Sequence, residues 1–212
     1  MSEKPTAALF WDKLAAKYAK KPVPDEAIYQ RKLQLTQHFL SASDVVLEFG
    51  CGTGSTALVH APKVERIDAT DISPAMIAIA KERAQAANIS NVSFEVGELE
   101  DFKLKADSYD AVLGLNIMHL IQSPANTLRE VHRILKADGI FISSTPLLKN
   151  EPIFVRWIIK VMQALGRAPH INFLTKDEYL KQVTDTGFEP VQAWMPDKTS
   201  VFLIARKAVI KI

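Results

Sequence analysis

The spacing of apolar residues changes character once along this chain. Between residues 6 and 20, Leu9, Phe10, Leu14 and Tyr18 fall close to one helical face, which predicts an amphipathic helix. The segment KKPVPDE (20–26) breaks it. A second helix is predicted over 27–40, with Ile28, Leu33, Leu35 and Phe39 as its apolar positions. From Val45 onward, short apolar runs alternate with helical stretches. That alternation predicts an α/β fold: a doubly wound, mostly parallel sheet with helices on both faces. Val45, Val46, Leu47 and Phe49 are apolar on both faces, as a central parallel strand requires. Two further runs, PVQAW (190–194) and VFLIA (201–205), are separated by a short PDKTS connection and predict an antiparallel C-terminal hairpin.

Local signals place the helix ends. Ser73 and Pro74 form an N-cap and first-turn pair, with Ile72 and Ile77 in the staple positions before and inside the helix. Ser123 and Pro124 repeat that start. Leu128, Val131, His132 and Leu135 then form an inward stripe, with Gly139 as the predicted stop before the strand IFISS (140–144). Thr175 and Glu178 form a capping box, and Gly187 suits the residue just past a helix end. The segment 152–166 is the unusual one. Its polar residues Arg156, Lys160 and Gln163 form one narrow stripe, and most of the rest is apolar. Three readings are open: a helix buried in the fold, which is favoured; a wall of an acceptor pocket; or a homodimer contact.

Chemistry enters with VVLEFGCGTG (45–54). Gly50, Gly52 and Gly54 leave backbone without a Cβ wall, so a ligand can lie against it. Asp71 ends the next apolar run and can accept from both ribose hydroxyls, as the acidic residue of dinucleotide sites does. The glycine spacing is G-x-G-x-G, not the G-x-G-x-x-G that brings a pyrophosphate to a helix N-terminus. Glu48, just before the first glycine, suits an ammonium group better than a phosphate. Glu98, after the run VSFEV (92–96), can accept from the exocyclic amine of adenine. Acceptors for an amine, a ribose and an adenine match S-adenosylmethionine, which has no phosphate.

With these residues in view, the chain resembles a class I S-adenosylmethionine-dependent methyltransferase, of the broad group that includes the ubiquinone and menaquinone biosynthesis enzymes. The matching blocks are VLEFGCGTG (46–54), ATDISPAMIAIAKERA (69–84), VGELEDF (96–102), YDAVLGLNIMHLI (109–121) and LREVHRILKADGIFISS (128–144). They occur in the family's order. Two positions depart from it: Glu98 stands where many relatives have Asp, and Lys136-Ala137-Asp138-Gly139 replaces the commoner Lys-Pro-Gly-Gly turn. The resemblance implies a Rossmann-like single domain over 1–212. Its parts would be an N-terminal helical cap (1–40), a cofactor-binding core (41–145), a substrate lid (146–176) and a C-terminal helix and hairpin (177–212) whose last strand runs antiparallel. It also implies that Tyr18 closes over the cofactor.

Each remaining candidate has a second reading. Asp71 could be a helix-start carboxylate stabilised by the dipole. Ile72 and Leu99 could sandwich the adenine or simply pack. Asn116 could bond substrate or cofactor, or cap a turn. His119 is the candidate general base, since histidine titrates near neutral pH; it could equally be packed behind the pocket, because this position is often histidine in the family. Cys51 reads as a small side chain packed in the glycine loop rather than a nucleophile.

Composition narrows the classes. At 212 residues, 48% hydrophobic and 24% charged, the chain is an ordinary globular sequence. A net charge of +2 and a pI near 8.6 are too small an excess to argue for nucleic acid. One cysteine allows no internal disulfide and suits a cytoplasmic protein. No signal-peptide pattern, spanning stretch or metal-ligand cluster is evident. The expected activity is methyl transfer to a small-molecule acceptor, apolar or aromatic if the 152–166 segment lines its pocket. A non-catalytic cofactor-binding module and an NAD-dependent oxidoreductase are the alternatives.

Overall fold

The apolar run at Val45–Phe49 forms strand β1, with Val46 and Leu47 essentially inaccessible to solvent. The computed structural model of the protein describes residues 4–166 and 168–208. Beside β1 lie β2 (Arg66–Asp71), β3 (Val92–Val96), β4 (Tyr109–Leu115), β5 (Leu135–Pro146), β6 (Phe188–Asp197) and β7 (Ser200–Lys207). They form one seven-stranded sheet in the order β3-β2-β1-β4-β5-β7-β6. The first five strands are parallel, and β7 runs antiparallel between β5 and β6. The chain leaves β1 toward β2 and β3 on one side, then returns to lay β4 on the other. That reversal opens a crevice at the carboxyl ends of the strands, the usual ligand position in doubly wound sheets.

The helices are α1 (Lys4–Ala19), α2 (Glu26–His38), α3 (Ser55–His60), α4 (Pro74–Ala86), α5 (Pro124–Ile134), α6 (Ile153–Ala164) and α7 (Lys176–Asp185). Alternating strand residues feed two cores. Leu47, Phe49, Val112, Phe141 and Leu203 pack with Leu128, Val131, Tyr179 and Val183 of α5 and α7. Val46, Ile67, Leu113, Ile142 and Phe202 pack with Ile77 and Ala80 of α4, and with Leu35 and Phe39 at the α2 end. Burying each such large side chain contributes about 1.5–3 kcal/mol.

Two of the three start signals cap as the sequence implies, while Ser123 precedes α5 without a side-chain cap bond. Ser73 Oγ accepts from Met76 N at 3.1 Å. Thr175 Oγ1 accepts from Glu178 N at 3.2 Å, while Glu178 accepts from Thr175 N at 2.9 Å. Gly187 follows α7 at φ +89°. The helix stop at Gly139 is not observed. Helix α5 ends at Ile134, because Leu135 already pairs with Tyr109 in the sheet. Lys136–Gly139 bulges out before Ile140 pairs with Ala111. Lys136 Nζ bonds Asp110 at 2.8 Å, and a Cβ on Gly139 would lie 2.9 Å from the Lys136 carbonyl.

The buried-helix reading of 152–166 is wrong. No residue of α6 is buried, and Ile153 and Trp157 are 80% and 70% exposed. Arg156 and Gln163 of the polar stripe face the protein, while Lys160 is exposed. Gln163 Nε2 donates to the Pro169 carbonyl at 2.9 Å, and the Arg156 guanidinium lies 5.4 Å from the Phe173 ring centre.

Candidate cofactor cleft

All three loop glycines have positive φ: +65° at Gly50, +54° at Gly52 and +73° at Gly54. They are needed for different reasons. A Cβ on Gly50 would lie 2.6 Å from the Ile117 side chain, and one on Gly54 would lie 2.9 Å from Ala80 and Phe94. Gly52 has open space, with Tyr18 its nearest neighbour at 3.8 Å. The loop is tied to the end of β2. Cys51 N donates to the Thr70 carbonyl at 2.9 Å, and Gly52 N to Asp71 Oδ2 at 2.8 Å. Asp71 Oδ1 accepts from Ser73 N at 2.9 Å. The carboxylate therefore holds both the glycine loop and the start of α4. Burial pushes its pKa up, and the two N–H donors pull it back.

A cleft of about 760 Å³ opens above this loop. Tyr18, Gly50, Gly52, Asp71, Ile72, Glu98, Leu99 and Asn116 all line it. Asn116 follows β4 at φ +57° and donates its backbone N–H to the Ser144 carbonyl at 2.7 Å. Glu98 caps the 3-10 turn at Leu99–Asp101: its side chain accepts from the Asp101 backbone, and its own N–H donates to Asp101 Oδ2 at 2.9 Å. Burial raises the pKa of Tyr18, and the nearby Asp71 and Glu48 carboxyls add to it.

Four candidates do not line the cleft. Gly54 faces the core, and Cys51 is buried with its thiol pKa raised, first by that burial and then by Glu48 and Asp71. Glu48 is buried beneath the loop. Burial, with Asp71 close by, pushes its pKa up to about 8, and its Oε2 atom has no protein partner. His119 lies in the 3-10 turn Met118–Leu120, behind the cleft. Burial lowers its pKa to about 4, and its carbonyl accepts from Asn172 N at 2.7 Å.

Some contributors carry no motif. Asp12 Oδ1 accepts from Ser73 Oγ at 2.5 Å and from Ala75 N at 3.0 Å. Arg83 donates to the Ala19 carbonyl at 2.7 Å and to Thr53 Oγ1 at 2.7 Å. These bonds fasten α1 to α4 at two points, so that Phe10, Trp11 and Tyr18 overhang the loop. The amphipathic stripe containing Phe10 and the family resemblance at Tyr18 hinted at this cover, but not at the bonds that hold it. On the other side, Gln163, Pro169 and His170 extend the wall from α6. Among the described residues no cluster of His, Cys, Asp and Glu could hold a metal.

Residues 40–189 match the family model described as a methyltransferase domain, which is most of the chain. The chain belongs to this methyltransferase family. Its relatives include the uncharacterized methyltransferase YcgJ of Bacillus subtilis, 26% identical over 70% of this chain. A malonyl-[acyl-carrier protein] O-methyltransferase of a Paenibacillus species is 26% identical over 69% of it. The chain spans 59% and 55% of the lengths of these two relatives. The crystal structure of YcgJ superposes with a TM-score of 0.71 over 85% of this chain and 99% of that one, at 18% identity. Geranyl diphosphate C-methyltransferase from Streptomyces coelicolor, solved with Mg2+, geranyl diphosphate and S-adenosyl-L-homocysteine, superposes with a TM-score of 0.75 at 14% identity. That alignment covers 98% of each chain. These methyltransferase structures share the Rossmann-like fold described above.

Proposed function

We propose that the protein binds S-adenosylmethionine in this cleft and transfers its methyl group to a small-molecule acceptor. The observation that carries the reading is the glycine loop clamped by Asp71, with an unpartnered Glu48 carboxyl oxygen beneath it. Open backbone at Gly52 gives the ligand a surface to lie on. Asp71 keeps lone pairs for ribose hydroxyls, and Glu48 offers an acceptor for an ammonium. Ile72 and Leu99 supply apolar surface for an adenine, and Glu98 an acceptor for its amine. Cys51 and Gly54 keep the loop's shape from its buried side. A pyrophosphate would meet two carboxyls here, which disfavours NAD.

Bound at this site, the cofactor supplies a methyl on a sulfonium that departs as a neutral thioether. The chain's work is then alignment and exclusion of water. Tyr18, Phe10 and Trp11 cover the loop. Asn116 presents a polar group at the sheet's carboxyl edge, where it can orient the acceptor. His119 is neutral at pH 7, and a pKa near 4 matches a general base poorly there; we give it the role of packing behind the cleft. Residues 146–176 serve as the acceptor-side lid. The lone thiol of Cys51 supports a cytoplasmic location.

Differential scanning with S-adenosylmethionine, S-adenosylhomocysteine and NAD tests the binding. The two adenosyl ligands should stabilise the protein by about 2.7 kcal/mol at a hundredfold excess over Kd, and NAD should not. No shift with either adenosyl ligand refutes the reading. Formation of S-adenosylhomocysteine with an added acceptor separates an enzyme from a cofactor-binding module.

A further inference from the structure

Helix α6 is turned inside out. Its inward face carries Val155, Arg156, Ile159 and Gln163, all partly buried. Its outward arc carries Ile153 (80% exposed), Phe154 (64%), Trp157 (70%), Ile158 (52%) and Leu165 (62%). At 100° per residue these five share one broad face, with Lys160 exposed on its rim. Large contiguous apolar patches on a protein surface mark sites where something docks.

The charges around the cleft say what fits. Both α6 and α1 border the mouth of the same cleft, through Gln163 on one and Phe10 and Trp11 on the other. Beside the apolar arc, α6 contributes Lys160 and no acidic residue. Lys13, Lys17, Lys20 and Lys21 are exposed on α1 and just beyond it. Asp12, the sole acidic residue among positions 4–21, is turned inward onto Ser73 and Ala75. An apolar helix face with aromatic residues, Lys160 on its rim and the lysines of α1 across the cleft matches an interfacial helix on an anionic bilayer. A second copy fits less well. Twelve residues make a helix about 18 Å long, so one face offers a few hundred Å2, below the roughly 800 Å2 per partner of a stable interface. Two copies meeting α6 to α6 would also oppose like charges.

We infer that α6 docks this protein on an anionic lipid surface, with the cleft mouth beside the membrane. The inference stands apart from methyl transfer, since it concerns the outer face of α6 and not the cofactor loop. No helix among the described residues is long and apolar enough to cross a membrane, so the contact is interfacial.

The test is co-sedimentation of the full chain with phosphatidylcholine vesicles, with and without phosphatidylglycerol, at low and high salt. Wild type should partition onto the anionic vesicles, weakly onto neutral ones, and less at high salt. Ile153→Asp combined with Trp157→Asp should reduce partition by about tenfold or more, because both side chains are outside the core. Lys20→Glu combined with Lys21→Glu should reduce the anionic preference. Both variants should keep the wild-type melting temperature and S-adenosylhomocysteine affinity, which separates this result from any failure of the cofactor reading. Absence of wild-type partition onto anionic vesicles overturns the inference, as does unchanged partition of the α6 variant. A solution dimer that the α6 variant disperses also overturns it, in favour of a second copy.

Discussion

The two sides of the cleft are built on opposite principles. On the glycine-loop side, half-buried polar groups are partnered: Asp71 takes N–H donors from Gly52 and Ser73, Asp12 holds Ser73, and Arg83 holds Ala19 and Thr53. On the α6 side, Arg156 and Gln163 turn inward and the apolar arc outward, and no residue of the helix is completely buried. The first arrangement favours one geometry, because breaking a bond leaves a half-buried polar group without its partner. The second leaves apolar surface outside the cleft, free for the docking inferred above. The contrast separates tightly specified chemistry from an adaptable recognition surface.

The largest expected effect tests the buried side by pH. Glu48 has a folded-state pKa near 8, well above an unfolded glutamate. The folded state therefore holds the proton more tightly, and stability is lost as pH rises from about 4.5 toward 8. Between pH 4.5 and 7 this amounts to roughly 3 kcal/mol at 1.36 kcal/mol per unit. Buried His60 and His119, with pKa values lowered to about 4, gain stability over the same range, so the Glu48 contribution is read as a difference: the urea-unfolding midpoint of Glu48→Gln should rise relative to wild type between pH 4.5 and 7. A difference that stays constant would place the titration elsewhere. Next is Asp71→Ala, which should weaken S-adenosylhomocysteine binding by about 1.5–3 kcal/mol, read by calorimetry. An unchanged affinity in a folded variant would leave Asp71 as a loop clamp alone. Asp12→Ala should cost about 1 kcal/mol of stability, the usual value of a helix-cap contact, measured by denaturant unfolding. The smallest effect belongs to the other side. Trp157→Ala should change stability by less than about 0.5 kcal/mol, since an exposed side chain leaves no cavity. A loss of several kcal/mol would mean that α6 is buried after all.

This contrast also explains what the sequence made legible. Glycine loops, the Ser73-Pro74 start and the Thr175–Glu178 box are local signals, and each sits where its spacing implies. The parallel core was readable because Val46, Leu47 and their counterparts must be apolar on both faces. Asp12 and Arg83 were not, because their partners lie 61 and 64 residues away in the chain. Helix α6 misled because apolar composition predicts burial only when something covers the face. There, Arg156 and Gln163 find inward partners and leave the apolar arc outside. Leu135 continued the helical stripe yet joined the sheet, because pairing with Tyr109 outweighed helix periodicity.

The most direct measurement is calorimetric titration of S-adenosylhomocysteine into wild type, Asp71→Ala and the Ile153→Asp/Trp157→Asp variant, in one buffer. Wild type should bind one equivalent, and the α6 variant should match it. Asp71→Ala should bind about tenfold or more weakly, the equivalent of losing a hydrogen bond to a charged group. No binding by wild type, or an α6 variant as impaired as Asp71→Ala, would contradict a cofactor side that is fixed independently of its acceptor side.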